Sequence, residues 1–91
     1  MGVYANGNST GTLIQGNTIR SNSGNGVMLV NATRIRVGGA ATGAGNLIAS
    51  NGGYGITAGG TCTGSLIQGN VITGNALGTV NVRNAKGIRV V

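Results

Sequence analysis

Apolar residues in this chain fall in short alternating runs, each closed by Gly or Asn. Val3-Tyr4-Ala5, Val27-Met28-Leu29, Leu13-Ile14-Gln15 and Arg34-Ile35-Arg36-Val37 follow this pattern, as does Asn17-Thr18-Ile19. Alternation with β-branched residues over three to five positions, bounded by turn formers, predicts short strands half-buried on one face. No stretch carries a helical period. The chain is therefore predicted to be all-β.

The runs recur. Leu13-Ile14-Gln15-Gly16-Asn17-Thr18-Ile19 returns as Leu66-Ile67-Gln68-Gly69-Asn70-Val71-Ile72, an offset of 53 residues. Laid over residues 55–91 without a gap, residues 2–38 match at 18 of 37 positions, which chance does not produce. Each unit divides again, because Gly45-Asn46-Leu47-Ile48-Ala49-Ser50-Asn51 repeats Gly16 to Asn22 and Gly69 to Asn75. Fixed-period self-similarity is the mark of a solenoid. The predicted architecture is a parallel β-helix occupying residues 1–91 as one module. Its coils span 2–25, 26–54 and 55–78, with a partial fourth over 79–91, about three and a half coils with three short strands each. The second coil is five residues longer than its neighbours, and the extra length lies in Gly38 to Gly45, a loop at one corner.

Stacked coils place equivalent positions about 4.8 Å apart. One inward column is expected to hold Ile14, Ile35, Ile67 and Ile88, and another Ile19, Ile48 and Ile72. Val3, Val27, Ile56 and Val80 are expected to form a third. Asn17, Asn46 and Asn70 each follow a Gly, and Asn22, Asn51 and Asn75 recur five residues on. Asn tolerates left-handed backbone and can bond to its own turn, so these are corner residues. Stacked Asn side chains can also bond from coil to coil.

Composition sharpens this picture. Only Tyr4 and Tyr54 are aromatic, so the core must be built from Val, Ile, Leu and Ala. Gly accounts for 20 of 91 residues and Pro is absent, which excludes collagen and Pro-rich linkers. No run approaches a membrane span, and Met1-Gly2-Val3-Tyr4 lacks the basic and apolar regions of a signal peptide.

The run Ile35-Arg36-Val37-Gly38-Gly39, then Gly43-Ala44-Gly45-Asn46-Leu47-Ile48, then Gly55-Ile56, then Leu66-Ile67-Gln68-Gly69-Asn70-Val71-Ile72 resembles right-handed parallel β-helix proteins of the pectate-lyase-like superfamily. The resemblance covers Gly26 to Ile72 directly and, through the repeat, essentially the whole chain. It implies right-handed coiling and a parent protein that is secreted or at the cell surface. Enzymes of that superfamily use carboxylates, either to hold calcium or as paired aspartates. This chain departs from them there, and fold alone does not carry function.

Six Lys and Arg face no Asp, Glu or His, giving +6. Glycoside hydrolysis needs two carboxyl groups, and a Ser or Cys nucleophile needs a base. Calcium and zinc sites need ligands this chain does not carry. No catalytic residue, metal site or cofactor is expected. The Gly-rich stretch Gly38 to Gly45 is followed by a strand pattern, not by the helix and Lys-Ser pair of a phosphate loop. Cys62, in the place of Ser9 one repeat earlier, reads as an exposed, incidental thiol in a polar loop.

Two functional expectations remain. One is a non-catalytic structural module that self-associates through open coil ends or flat faces, excised from or designed after a longer surface protein. Open ends are templates for another chain. The other is binding of an acidic polysaccharide or nucleic acid by Arg34, Arg36, Arg83, Lys86 and Arg89. Arg34 and Arg36 flank inward Ile35 and are expected to share an outward face, with Gln15 and Gln68 on the levels between Arg36 and Arg89.

Overall fold

The computed structural model describes residues 1–91, and every regular element in it is a β-strand. In chain order these are β1 (Val3–Ala5), β2 (Leu13–Ile14), β3 (Thr18–Arg20), β4 (Val27–Val30) and β5 (Arg36–Gly38). They are followed by β6 (Leu47–Ala49), β7 (Tyr54–Gln68), β8 (Val71–Thr73) and β9 (Gly78–Val90). All pairing is parallel, coil upon coil.

The strands form three faces. On the first, Val3 pairs with Val27, Val27 with Ile56 and Ile56 with Val80, the column that the sequence repeat predicts. On the third, Ile19, Ile48 and Ile72 lie in register on β3, β6 and β8. The second face runs from β2 through β5 to the rear of β7 and of β9. In coils three and four the first and second faces belong to one continuous strand each. Two register shifts, between Thr57 and Gly59 and between Thr61 and Ser65, absorb the corner without interrupting the ladder. Coil three therefore carries two separate strands on its three faces, and the partial coil four carries one, on the first and second faces only.

One expected column is corrected. Ile14 pairs with Val37, Val37 with Ile67 and Ile67 with Val90. Ile35 lies two positions before Val37, at the level of Ser65, which pairs with Ile88. The cause is an alternation in coil length. Val3 to Leu13 and Ile56 to Leu66 each span ten positions, whereas Val27 to Arg36 and Val80 to Arg89 each span nine. Coils one and three are thus alike, and so are two and four. The 53-residue offset matches Ile14 to Ile67 and Ile35 to Ile88 correctly, but these are two columns, both inward.

The core is aliphatic and continuous along the axis: Ile14, Ile19, Val27, Leu29, Ile35, Val37, Ile48, Ile56 and Ile67 are buried in one cluster with Ala5, Ala32, Ala58 and Cys62. Burying a side chain of this size stabilises by about 1.5–3 kcal/mol. Cys62 is fully buried and free, with its thiol 3.4 Å from the Gly59 carbonyl, so the exposed-thiol expectation is corrected. It faces inward within β7, one of the alternating positions of a strand rather than of a loop.

Polar groups inside the helix are satisfied. The buried Ser65 hydroxyl accepts from the Ile35 N–H at 3.0 Å and donates to the Ala32 carbonyl at 2.9 Å. Two Asn ladders run along the corners. The Oδ1 of Asn46 accepts from both the backbone N (2.9 Å) and Nδ2 (3.2 Å) of Asn17, and Asn70 Oδ1 accepts from the same two groups of Asn46. Asn22, Asn51 and Asn75 repeat this arrangement at the next corner. Each ladder supplies the donors and acceptors that the turning backbone leaves over.

Candidate functional site

Outward positions on the second face form a mixed column. Leu13 pairs with Arg36, Arg36 with Leu66, and Leu66 with Arg89. Arg36 and Arg89 therefore stand two rungs apart, about 9.6 Å along the axis, with a leucine between them. This corrects the expected spacing by glutamines: Gln15 donates from Nε2 to the Gly38 carbonyl at 3.0 Å, and Gln68 pairs with Gly38, which sets both in the next outward column. Arg36 and Arg89 line one shallow depression with Gly64, Ser65, Leu66 and Gly87.

Arg34 borders this depression but not as a strand residue. It has φ 54, at the corner where Gly11, Gly64 and Gly87 stand in the other coils at φ 72, 75 and 75. Alternation fails across a left-handed residue, so Arg34 and Arg36 do not share one flat sheet. Its Cγ lies 3.2 Å from where a Cβ on Gly64 would stand. Lys86 pairs with Thr61, just before the Gly87 corner. Arg83 lies farther back, where the register shifts between Thr57 and Gly59, and its N–H donates to Asn81 Oδ1 at 3.2 Å. The structure thus gathers Arg34, Arg36 and Arg89, sets Lys86 near them, and leaves Arg83 outside the group.

All five of these side chains are exposed, as is the sixth cation, Arg20. Arg20 was not among the candidates. It lies on β3, on the third face, paired with Ala49 and away from the others. The period of two from inward Ile19 already marks it as outward. With no Asp or Glu in the chain, no side chain can neutralise any of the six. Solvated cations of this kind attract anionic groups.

A larger, mostly apolar depression lies beneath the long corner of coil two, between Ala40, Ala41, Leu47, Val71 and Val91. The corner joins β5 to β6, strand to strand, so its backbone has no helix terminus to aim at a phosphate.

The whole chain, residues 1–91, matches the family model described as right handed beta helix region. The chain belongs to that family, and its fold is a right-handed parallel β-helix. No curated protein and no solved structure matches it.

Proposed function

We propose that this chain is a non-catalytic structural β-helix module that associates with further copies of itself through its coil ends. One observation carries the reading. The β9 strand pairs only with β7, and its other edge presents the unpaired backbone of residues 78–90. Around that edge Val80, Val82, Ala85 and Ile88 are only partly buried against the core, while Leu77, Val90 and Val91 are largely exposed. An edge of that length with an apolar lining favours pairing with another strand. Acid–base chemistry has no support in the residues, since Asp, Glu and His are all absent.

Size-exclusion chromatography with light scattering over a range of concentrations tests the association. Mass rising with concentration is the expected result; a monodisperse monomer at high micromolar concentration overturns it.

A second reading is favoured by the Arg36–Leu66–Arg89 column. A polyanion with repeating charges would be held along the axis by Arg36 and Arg89, with Arg34 and Lys86 at its flank. Salt-dependent retention on heparin or DNA, lost in the double variant Arg36→Ala with Arg89→Ala, is the outcome that supports it. Retention unchanged by those substitutions removes it.

A further inference from the structure

The alternation of coil types bears on how copies would meet. Inside the chain, coil three rests on coil two through the pairs Val27–Ile56, Leu29–Ala58, Arg36–Leu66 and Val37–Ile67. Coil four repeats coil two at an offset of 53, and coil one repeats coil three at the same offset. The two ends of the chain therefore carry the two halves of a junction that the chain already makes in its middle.

We propose that copies assemble head to tail, coil four of one chain bearing coil one of the next in the register of the internal junction between coils two and three. This rests on the self-associating reading above and specifies its geometry. Val80 then meets Val3 of the second copy, Val82 meets Ala5, Arg89 meets Leu13 and Val90 meets Ile14. The outward column Leu13–Arg36–Leu66–Arg89 continues with leucine, so no arginine faces another across the junction. Asn84 takes the place of Asn31, whose Oδ1 accepts from the Thr61 N–H at 2.9 Å. Its counterpart in the second copy is Asn8, whose N–H is held by Asn6 Oδ1 in the free chain. Pairing runs through the first and second faces; the third gains no strand at the junction.

Charge argues against the symmetric alternative. Pairing β9 with β9 of a second copy would bring Arg83, Lys86 and Arg89 of both chains into one strip with no carboxylate side chain to offset them. Like charges gathered in one strip repel at close range.

Two residues resist the head-to-tail register: Val91 takes the place of Gly38, where a Cβ would run into the Gln68 carbonyl of the coil above, and Thr79 takes that of Gly26. Gly26 and Gly55 begin their coils with no side chain, and a Cβ there would stand 2.6 and 2.8 Å from the carbonyl oxygens of Gly55 and Thr79 on the coil above. In coil four this position is Thr79. Its Cβ points at the space that the Gly2 carbonyl of a second copy would enter, so the junction between chains is weaker than the one within.

Two blocked chains test the arrangement. Val3→Lys charges the first coil and Val80→Lys the last, with circular dichroism to establish that both stay folded. Each alone is expected to be monomeric by light scattering, and an equimolar mixture is expected to give a dimer through the two unblocked ends. Dimers of either variant alone, or a mixture that stays monomeric while the native chain associates, overturn the head-to-tail geometry and leave self-association standing. If the native chain does not associate, the reading beneath it fails as well. Should a lysine variant unfold, Thr79→Gly in the native chain decides. Removing that obstructing side chain is expected to tighten association roughly tenfold, as relief of overpacking does. An unchanged or weaker association overturns the proposal.

Discussion

Arg34 turns its corner in the same left-handed conformation as Gly64, one coil above it, with φ 54 against 75. A side chain in this conformation costs roughly 1–2 kcal/mol relative to the right-handed one, a penalty glycine escapes. The long aliphatic part of Arg34 lies against Gly64, which recovers some of the loss. Replacement by glycine also loosens the unfolded chain. Arg34→Gly is therefore expected to stabilise the fold by about 0.5–1 kcal/mol net, read as a higher urea midpoint with unchanged slope. A lower midpoint would show that the Arg34 side chain contributes more packing than its backbone costs.

The Asn ladders are not uniform. Asn46 is 2% exposed and its side chain makes four hydrogen bonds to three residues, accepting twice from Asn17 and donating to the Ile14 carbonyl and to Asn70 Oδ1. Asn17, at the first coil, is exposed and serves only as a donor in its ladder. Asn46→Ala removes the partner of the Ile14 carbonyl and of both Asn17 donors on coil one and one of the two donors to Asn70 Oδ1 on coil three, and is expected to cost about 3 kcal/mol or more, whereas Asn17→Ala costs about 1. Chemical denaturation of the two variants side by side checks the difference; equal losses would mean that the ladder is worth no more inside than at its end.

The inward strand position of Cys62 makes it unreactive in the folded chain. A thiol reagent is expected to label it only as fast as the protein opens, and at once in denaturant. Cys62→Ala leaves a small cavity and is expected to cost about 1 kcal/mol. Rapid labelling under native conditions would contradict its placement.

Much of this was legible from the residues. The 53-residue repeat yields the parallel ladders of Val3–Val27–Ile56–Val80 and Ile19–Ile48–Ile72, because identical corners force identical rises. It fails where two inward residues sit two apart, as Ile35 and Val37 do. Only the pairing of Arg36 with Leu13 then decides which of them tops Ile14, and that depends on a one-residue difference in corner length. Cys62 is hidden in the sequence for a related reason. Thr61, Thr63 and Gly64 around it are polar or small, which masks a strand whose one apolar member points inward. Of the cations, period-two reasoning places Arg36 and Arg89, but it cannot see that Arg34 lies across a left-handed residue.

The absence of carboxylates and imidazoles has a consequence in solution. Between about pH 4.5 and 6.5 the groups that ordinarily titrate are Asp, Glu and His side chains, and the chain has none. With no difference in bound protons between folded and unfolded chains, stability has no slope with pH there. Thermal midpoints by circular dichroism are expected to coincide across that range at fixed ionic strength. A systematic drift would reveal a coupled group that the composition does not contain.

The long corner of coil two separates two things usually tied together in a β-sheet protein. Thr18 to Leu47 spans 29 positions and Leu47 to Val71 spans 24, yet Gly38 still pairs with Gln68 on one side and Leu47 with Val71 on the other. At this bend five extra residues leave the alignment on either side unchanged. Such a bend is where a lineage of these proteins can acquire new surface by insertion, and where a foreign peptide could be spliced in and displayed while the scaffold beneath it stays unaltered.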